Sequence, residues 1–385
     1  MSDMLALTAM EIFDGKTWHK DSVLIVHGGT VEAVVPRGKV PAAAEKVDAG
    51  DILAPGFIDL QVNGGGGVML NDHPTAEGIE TICRAHAPFG TTALLPTLIT
   101  DTPEVTAAAI AAGMEAARRK VPGFAGLHLE GPHLSIGRKG AHDPKLIRPM
   151  TGSDLAALIA ARKELPALLT TVAPESVTPE QVAALVKAGI IVSLGHTDAT
   201  YATARAYAEA GATMDTHLFN AMSQIGNREP GLVGAALDDG RLSAGLIADG
   251  IHVNPATIGI AVRAKISPAN IFLVTDAMAT IGTGMTSFTL NGRTIHRKDG
   301  RLTLEDGTLA GADLDMISAV RFMHRTIGLD LDDALRMASI YPAEAIGQAN
   351  RLGGFAKGAT ANIVALSEKL DVSGVWIDGK PVFPR

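Results

Sequence analysis

The sequence predicts an α/β protein: a (β/α)8 TIM-type barrel joined to a small β-sandwich domain formed from both chain termini. Three observations carry this. From Ile52 onward, eight apolar β runs alternate with helical segments, and about 290 residues is the size such a barrel needs. Residues 1–51 and 355–385 hold only short apolar runs broken by Gly, Asp and Pro, which is strand and turn chemistry. Two of the barrel runs end in a histidine, His196 and His217, at the strand edge where α/β folds collect their chemistry. A doubly wound open sheet is the alternative, but it usually has fewer strands and needs a switch point.

The elements follow in order. LALTAMEIFDG, SVLIVHGGTVEAVVP and AEKVDAGD predict β structure, with His27-Gly28-Gly29 as a hairpin signal. The barrel runs are 52–64, 90–99, 123–131, 167–175, 189–197, 211–219, 242–250 and 270–278. Helices are predicted over 75–88, 102–119, 152–164, 179–188, 200–210 and 255–265, then over 314–327 and 332–340. In TDATYATARAYAEA, Thr197 or Asp198 can cap the helix start and Gly211 closes it. NREPGLVGAALDD is only partly helical by pattern. Residues 282–311 break the rhythm. Asn291-Gly292, Asp299-Gly300 and Asp306-Gly307 predict β-hairpins there, inserted near the face that carries the chemistry. The tail is again β, with Asp378-Gly379 as a hairpin turn, and joins residues 1–51. The barrel domain is therefore read as 52–354.

Composition bounds the partners. With 385 residues, 46% hydrophobic and 19% charged, the chain can bury a large core and more than one domain. A net charge of −8 without a basic cluster argues against nucleic acid. The single cysteine, Cys83, excludes an internal disulfide and a thiolate zinc cluster. No apolar run approaches the roughly 20 residues of a membrane span. The start, MSDMLALTAMEIFDGK, has no basic n-region or cleavage site. A cytoplasmic protein without membrane contact is expected.

Strand ends supply the chemistry. In GLHLEGP, alternation puts His128 and Glu130 on one side and Leu127 and Leu129 on the other. Gly131-Pro132 stops the strand and leaves Glu130 at its edge. One such histidine alone would read as a hydrogen-bonded side chain. Glu130, His196 and His217 together make two imidazoles and a carboxylate, the set of a catalytic zinc with an open position. His128 lies one layer deeper and reads as a supporting or core histidine rather than a fourth ligand. Asp276 ends the eighth run and can move a proton beside such an ion; its plainer reading is a helix cap. The loops around His142, Asn220 and His252 are placed to line the mouth, each a weak signal by itself. Gly64 to Gly67 lacks the Lys and Ser or Thr of a phosphate-binding loop and reads as a turn.

Taken together, APGFIDLQVNG, GLHLEGPH, KGAHDP, SLGHTDATY, DTHLFNAM, NREPG, ADGIHV and LVTDAM, in this order, resemble the amidohydrolase superfamily, over nearly the whole chain. Within it they resemble enzymes that remove the N-acetyl group of amino sugar 6-phosphates. The resemblance implies metal-dependent hydrolysis of N-acetylglucosamine 6-phosphate, with the galactosamine epimer or another amidohydrolase substrate as the alternative. It implies Glu130, His196 and His217 as ligands of one divalent ion, most often zinc, and Asp276 as general base and then acid. His142 would contact the acetyl group, and Asn220 and Ala221 would hold the sugar. Arg228 and His252 would bind the 6-phosphate, with Arg228 from the same chain or from the partner in a homodimer. One departure matters. Where the superfamily often has His-x-His for a second metal, this chain has Gln61 and Asn63, and neutral amides are poor zinc ligands. No lysine ends the fourth run, so a carbamylated bridging lysine is not expected. His133 stands where the resemblance implies an aromatic residue.

Overall fold

In the computed structural model, which describes residues 4–384, eight parallel strands line up in sequence order. They are Phe57–Val62, Thr91–Ile99, Leu127–Glu130, Leu168–Val172, Ile191–Leu194, Met214–Asp215, Ser243–Ile247 and Ile271–Val274. The sheet closes between its first and last strands through the bridge Val62–Ala277 and the Asp276 N–H, which donates to the Gln61 carbonyl at 2.9 Å. The buried Asp59 carboxylate reinforces this seam. It accepts the Thr275 hydroxyl at 2.5 Å and the Thr275 and Gln61 N–H groups at 3.2 Å each. Burial pushes its pKa up to about 7.

The outer helices are α1 (Ala76–His86), α2 (Pro103–Arg119), α3 (Gly152–Arg162), α4 (Pro179–Lys187), α5 (Tyr201–Glu209), α6 (Gly231–Asp238), α7 (Pro255–Ala264) and α8 (Met316–Phe322). The first five start alike. Thr75, Thr102, Thr151, Thr178 and Thr200 each accept the N–H three residues on, worth typically about 1 kcal/mol per cap. Thr200 thus caps α5, not Thr197 or Asp198. The Thr197 hydroxyl instead donates to Glu175 at 2.6 Å.

Several predicted elements change. The run 52–64 is two strands: Ile52–Pro55 belongs to the terminal β domain and only Phe57–Val62 to the barrel. The chain crosses between sheets at Gly56, where a Cβ would sit 2.2 Å from the Thr92 hydroxyl oxygen. The helix over 314–327 widens after Phe322 into a π-type turn, Met323–Ile327. That over 332–340 is Leu331–Ala338, followed after Ser339 by a separate helix, Ile340–Ala345. The partly helical segment is a full helix, α6. Its residues Gly231–Leu237 are all buried, so no polar face marks its period.

The terminal domain is a sandwich. Met4–Thr8, Ser22–His27, Thr30–Pro36 and Glu45–Asp48 form one sheet; Glu11–Phe13, Trp18–Lys20, Ile52–Pro55, Ile363–Leu366, Val372–Ile377 and Lys380–Phe383 form the other. Leu7, Leu24, Leu53, Ile363 and Trp376 fill the space between them. Phe13, Ala54 and Val364 of the larger sheet belong to the barrel's own core. The insertion after the eighth barrel strand is a four-stranded antiparallel sheet running from Ser287 to Ala312. Among the described residues, no helix is long and apolar enough to cross a membrane.

Candidate metal centre

Three of the proposed side chains leave the barrel at one structural position. His196, His217 and Asp276 each follow the last residue of their strand by two, and each takes a left-handed backbone, φ +48°, +37° and +50°. Such conformations cost on the order of 1–3 kcal/mol each and concentrate at functional sites. Here they turn three side chains inward over the strand tops. Glu130 is the last residue of its strand and needs no such turn.

The donor atoms converge. His196 Nε2, His217 Nε2 and Glu130 Oε1 are mutually 3.1 Å apart, and all three residues are buried. An equilateral triangle of this side suits one ion held at roughly 2.0–2.2 Å from each corner. Protonation agrees. His196 Nδ1 lies 2.8 Å from the Arg138 carbonyl, which only accepts, so Nδ1 carries the proton and Nε2 offers its lone pair. Burial alone would raise the pKa of Glu130, but the His196 and His217 imidazoles beside it hold it well below the usual range. The residues fit a divalent cation.

His142 lies in the same cluster, close enough to Glu130 and His196 to be a ligand itself. Its tautomer argues otherwise. Nδ1 accepts the Thr100 N–H at 3.3 Å and lies 2.7 Å from the Thr100 hydroxyl. An N–H only donates, so the ring proton sits on Nε2. Burial and the neighbouring His196 push its pKa down to about 3. His142 is thus a neutral N–H donor beside the triangle.

Gln61 and Asn63 hold carboxylates apart. Gln61 Nε2 bridges Glu130 Oε2 at 3.1 Å and Asp276 Oδ1 at 3.2 Å, and Asn63 Nδ2 donates to Asp276 Oδ1 at 2.7 Å. Two amides thus supply the positive hydrogens that a second cation would otherwise provide. Asp276 Oδ2 takes no protein hydrogen bond among the described residues. Burial and the Glu130 charge raise the Asp276 pKa to about 6.

The donor triangle, His142, Asn63 and Asp276 line a cavity of about 270 Å3 with Asn220, Ala221, His252, Thr308, Leu309 and Gly311. His252 is oriented by Asp249, whose Oδ2 is 2.6 Å from Nδ1 while Oδ1 accepts the His252 N–H at 2.8 Å. Thr308, Leu309 and Gly311 come from the hairpin insertion, and its Arg293 donates to the Ala141 carbonyl beside His142. No sequence pattern marks these contacts. Asp249 could have been found, because it shares a short loop with His252. Arg228 is not brought together with the others: it is exposed and lines no part of this cavity. His128 sits below, its Nε2 2.8 Å from the Thr171 hydroxyl and its Nδ1 3.2 Å from that of Thr97, and burial pushes its pKa down to about 4. It is a neutral core histidine.

Comparison with known proteins agrees with this layout. The chain is 45% identical over 331 residues, 86% of its length, to an N-acetylgalactosamine-6-phosphate deacetylase of Shewanella, of which 83% is covered. It is 38% identical over 365 residues, 94% of each chain, to an N-acetylglucosamine-6-phosphate deacetylase of Haemophilus influenzae. Its fold superposes with a TM-score of 0.94 on the crystal structure of N-acetylglucosamine-6-phosphate deacetylase from Pasteurella multocida, at 36% identity over 98% of this chain and 99% of that one. The amidohydrolase family model matches residues 52–382. A barrel with a histidine and carboxylate triangle at its mouth, and a match across the whole of that barrel, make the chain a member of the amidohydrolase family.

Proposed function

We propose that the chain is a metal-dependent deacetylase acting on N-acetylglucosamine 6-phosphate and releasing acetate and glucosamine 6-phosphate. The observation that carries this is the 3.1 Å donor triangle with one proton acceptor, Asp276, and one proton donor, His142, beside it. Glu130, His196 and His217 would hold one divalent ion, zinc by the chemistry of the set. Bound there, such an ion supplies Lewis acidity and a water whose pKa falls toward about 7. The chain's own residues do the rest. Asp276 Oδ2 takes the proton of the attacking water and returns it to the leaving amine nitrogen. His142 Nε2–H donates to the acetyl oxygen as negative charge gathers there, a contact typically worth about 3–4 kcal/mol. Asn220 and Ala221 hold the sugar, and His252, fixed by Asp249, faces its 6-phosphate. The names of the relatives support the substrate class. The 45% identity to a galactosamine-directed relative keeps that epimer in the assay.

The test is acetate release from a panel of N-acetylated sugars, with and without the 6-phosphate and in both epimers, before and after chelation. Turnover that is highest with N-acetylglucosamine 6-phosphate and lost on chelation supports the proposal. Chelator-resistant turnover, or indifference to the phosphate, sinks it.

Arg228 is exposed and lines no part of its own chain's cavity, so we place it in the site of a partner within a cytoplasmic homodimer. Arg228→Ala should raise KM roughly ten- to a hundredfold for the phosphorylated substrate and leave an unphosphorylated analogue unchanged. Mixed dimers of Arg228→Ala with Asp276→Asn should recover about a quarter of native kcat/KM for the phosphorylated substrate, because half of the dimers then hold one complete site. No recovery would place Arg228 elsewhere.

A further inference from the structure

On the opposite side of Glu130's strand lies a second cavity. Helices α2 and α3 leave a slot of about 440 Å3 between them, within the usual range of small-molecule sites. Its floor is Leu129 and Thr170, on the outer face of the third and fourth barrel strands; Ile110 and Met114 wall one side and Leu158 the other. None of the lining residues is shared with the cavity at the metal centre.

A buried imidazole in this slot has an unmatched ring nitrogen. His133 is 3% exposed and lines the slot. Its Nδ1 lies 3.0 Å from the Arg148 carbonyl, so Nδ1 carries the proton and donates. Nε2 then bears a lone pair, and no protein group among the described residues donates to it. Burial holds the pKa of the ring below its ordinary value, so the ring stays neutral and Nε2 stays an acceptor. The charged pair beside His133 is occupied, and Glu164 stands exposed at the rim of the slot. Arg148 clasps Asp154 through two hydrogen bonds of 2.6 and 2.7 Å, leaving neither free for a ligand. Apolar walls around this buried acceptor suit a flat, neutral molecule with a donor at one end.

We propose that the slot between α2 and α3 is a second binding site, for a small aromatic molecule bearing one O–H or N–H group, which donates to His133 Nε2. A phenol is the minimal member of this class. Its ring replaces water against Ile110, Met114 and Leu129 while its hydroxyl meets the imidazole.

Phenol and toluene, titrated calorimetrically into the metal-loaded full chain, test this. The two share a ring and differ in the donor. Phenol should saturate the protein and bind about five- to tenfold more tightly than toluene, the value of one buried hydrogen bond. His133→Phe should bind both with equal affinity. Ala111→Phe, which fills the slot from α2 and leaves His133 untouched, should weaken both. Acetate release should be unchanged in both variants, which verifies their folding. The proposal is overturned by equal affinities in the native protein, by a preference for phenol that survives in His133→Phe, or by the absence of saturation at about 5 mM. Competition between phenol and the sugar phosphate would also overturn it, by placing the ligand in the other cavity.

Discussion

Asp276→Asn should keep its metal and lose acetate release by about 10²–10⁴-fold, the usual range for removing a general base. The variant is nearly isosteric. Its side-chain oxygen still accepts from Asn63 and Gln61, which now hold Asp276 Oδ1 at 2.7 and 3.2 Å, while the amide nitrogen that replaces Oδ2 can no longer accept a proton. Asn also tolerates the left-handed backbone at this position, φ +50°. Metal content by mass spectrometry and kcat by acetate assay check the two halves separately. Undiminished kcat would remove Asp276 from proton transfer; lost metal would make it a ligand.

Glu130→Gln should have the larger effect, because it removes the ion itself. Glu130 is the one anion of the triangle and is 2% exposed. Its neutral replacement leaves His196 and His217 to hold a divalent cation alone, which should weaken binding by more than about a hundredfold. Thermal unfolding gives a readout independent of activity. An ion bound at a thousand times its Kd stabilises the native protein by about 4 kcal/mol, so chelation should lower the native Tm by several degrees. The Tm of Glu130→Gln should not respond to chelator. A native Tm indifferent to chelator would mean that the triangle holds no ion.

The barrel was legible because eight apolar runs alternate with helical segments, most of them amphipathic, and each half of that pattern has a local physical cause. The convergence of Glu130, His196, His217 and Asp276 was legible because strand ends face one rim in this fold, so residues scattered along the sequence could be set side by side. What failed was long-range or locally ambiguous. Ile52–Pro55 is apolar and buried throughout, and nothing in such a run says which sheet it joins. HTDATYAT offers three threonines and an aspartate, all able to cap, and the choice falls on Thr200 only once Thr197 is drawn to Glu175. The helix α6 hides its period by being buried all round. The hairpins of the insertion were readable from their turns, but their reach to the mouth through Thr308, Leu309 and Arg293 depends on tertiary packing alone.

The positive φ angles at His196, His217 and Asp276 decide which replacements can be interpreted. A β-branched residue at any of these turns would strain the main chain, and a dead variant would then report misfolding and lost chemistry in one signal. Glycine enters this region at least cost, and asparagine comes next while keeping a polar side chain. His196→Asn and His217→Asn are therefore the cleaner experiments, and a valine scan across the same strand ends would overstate how much each side chain contributes to turnover.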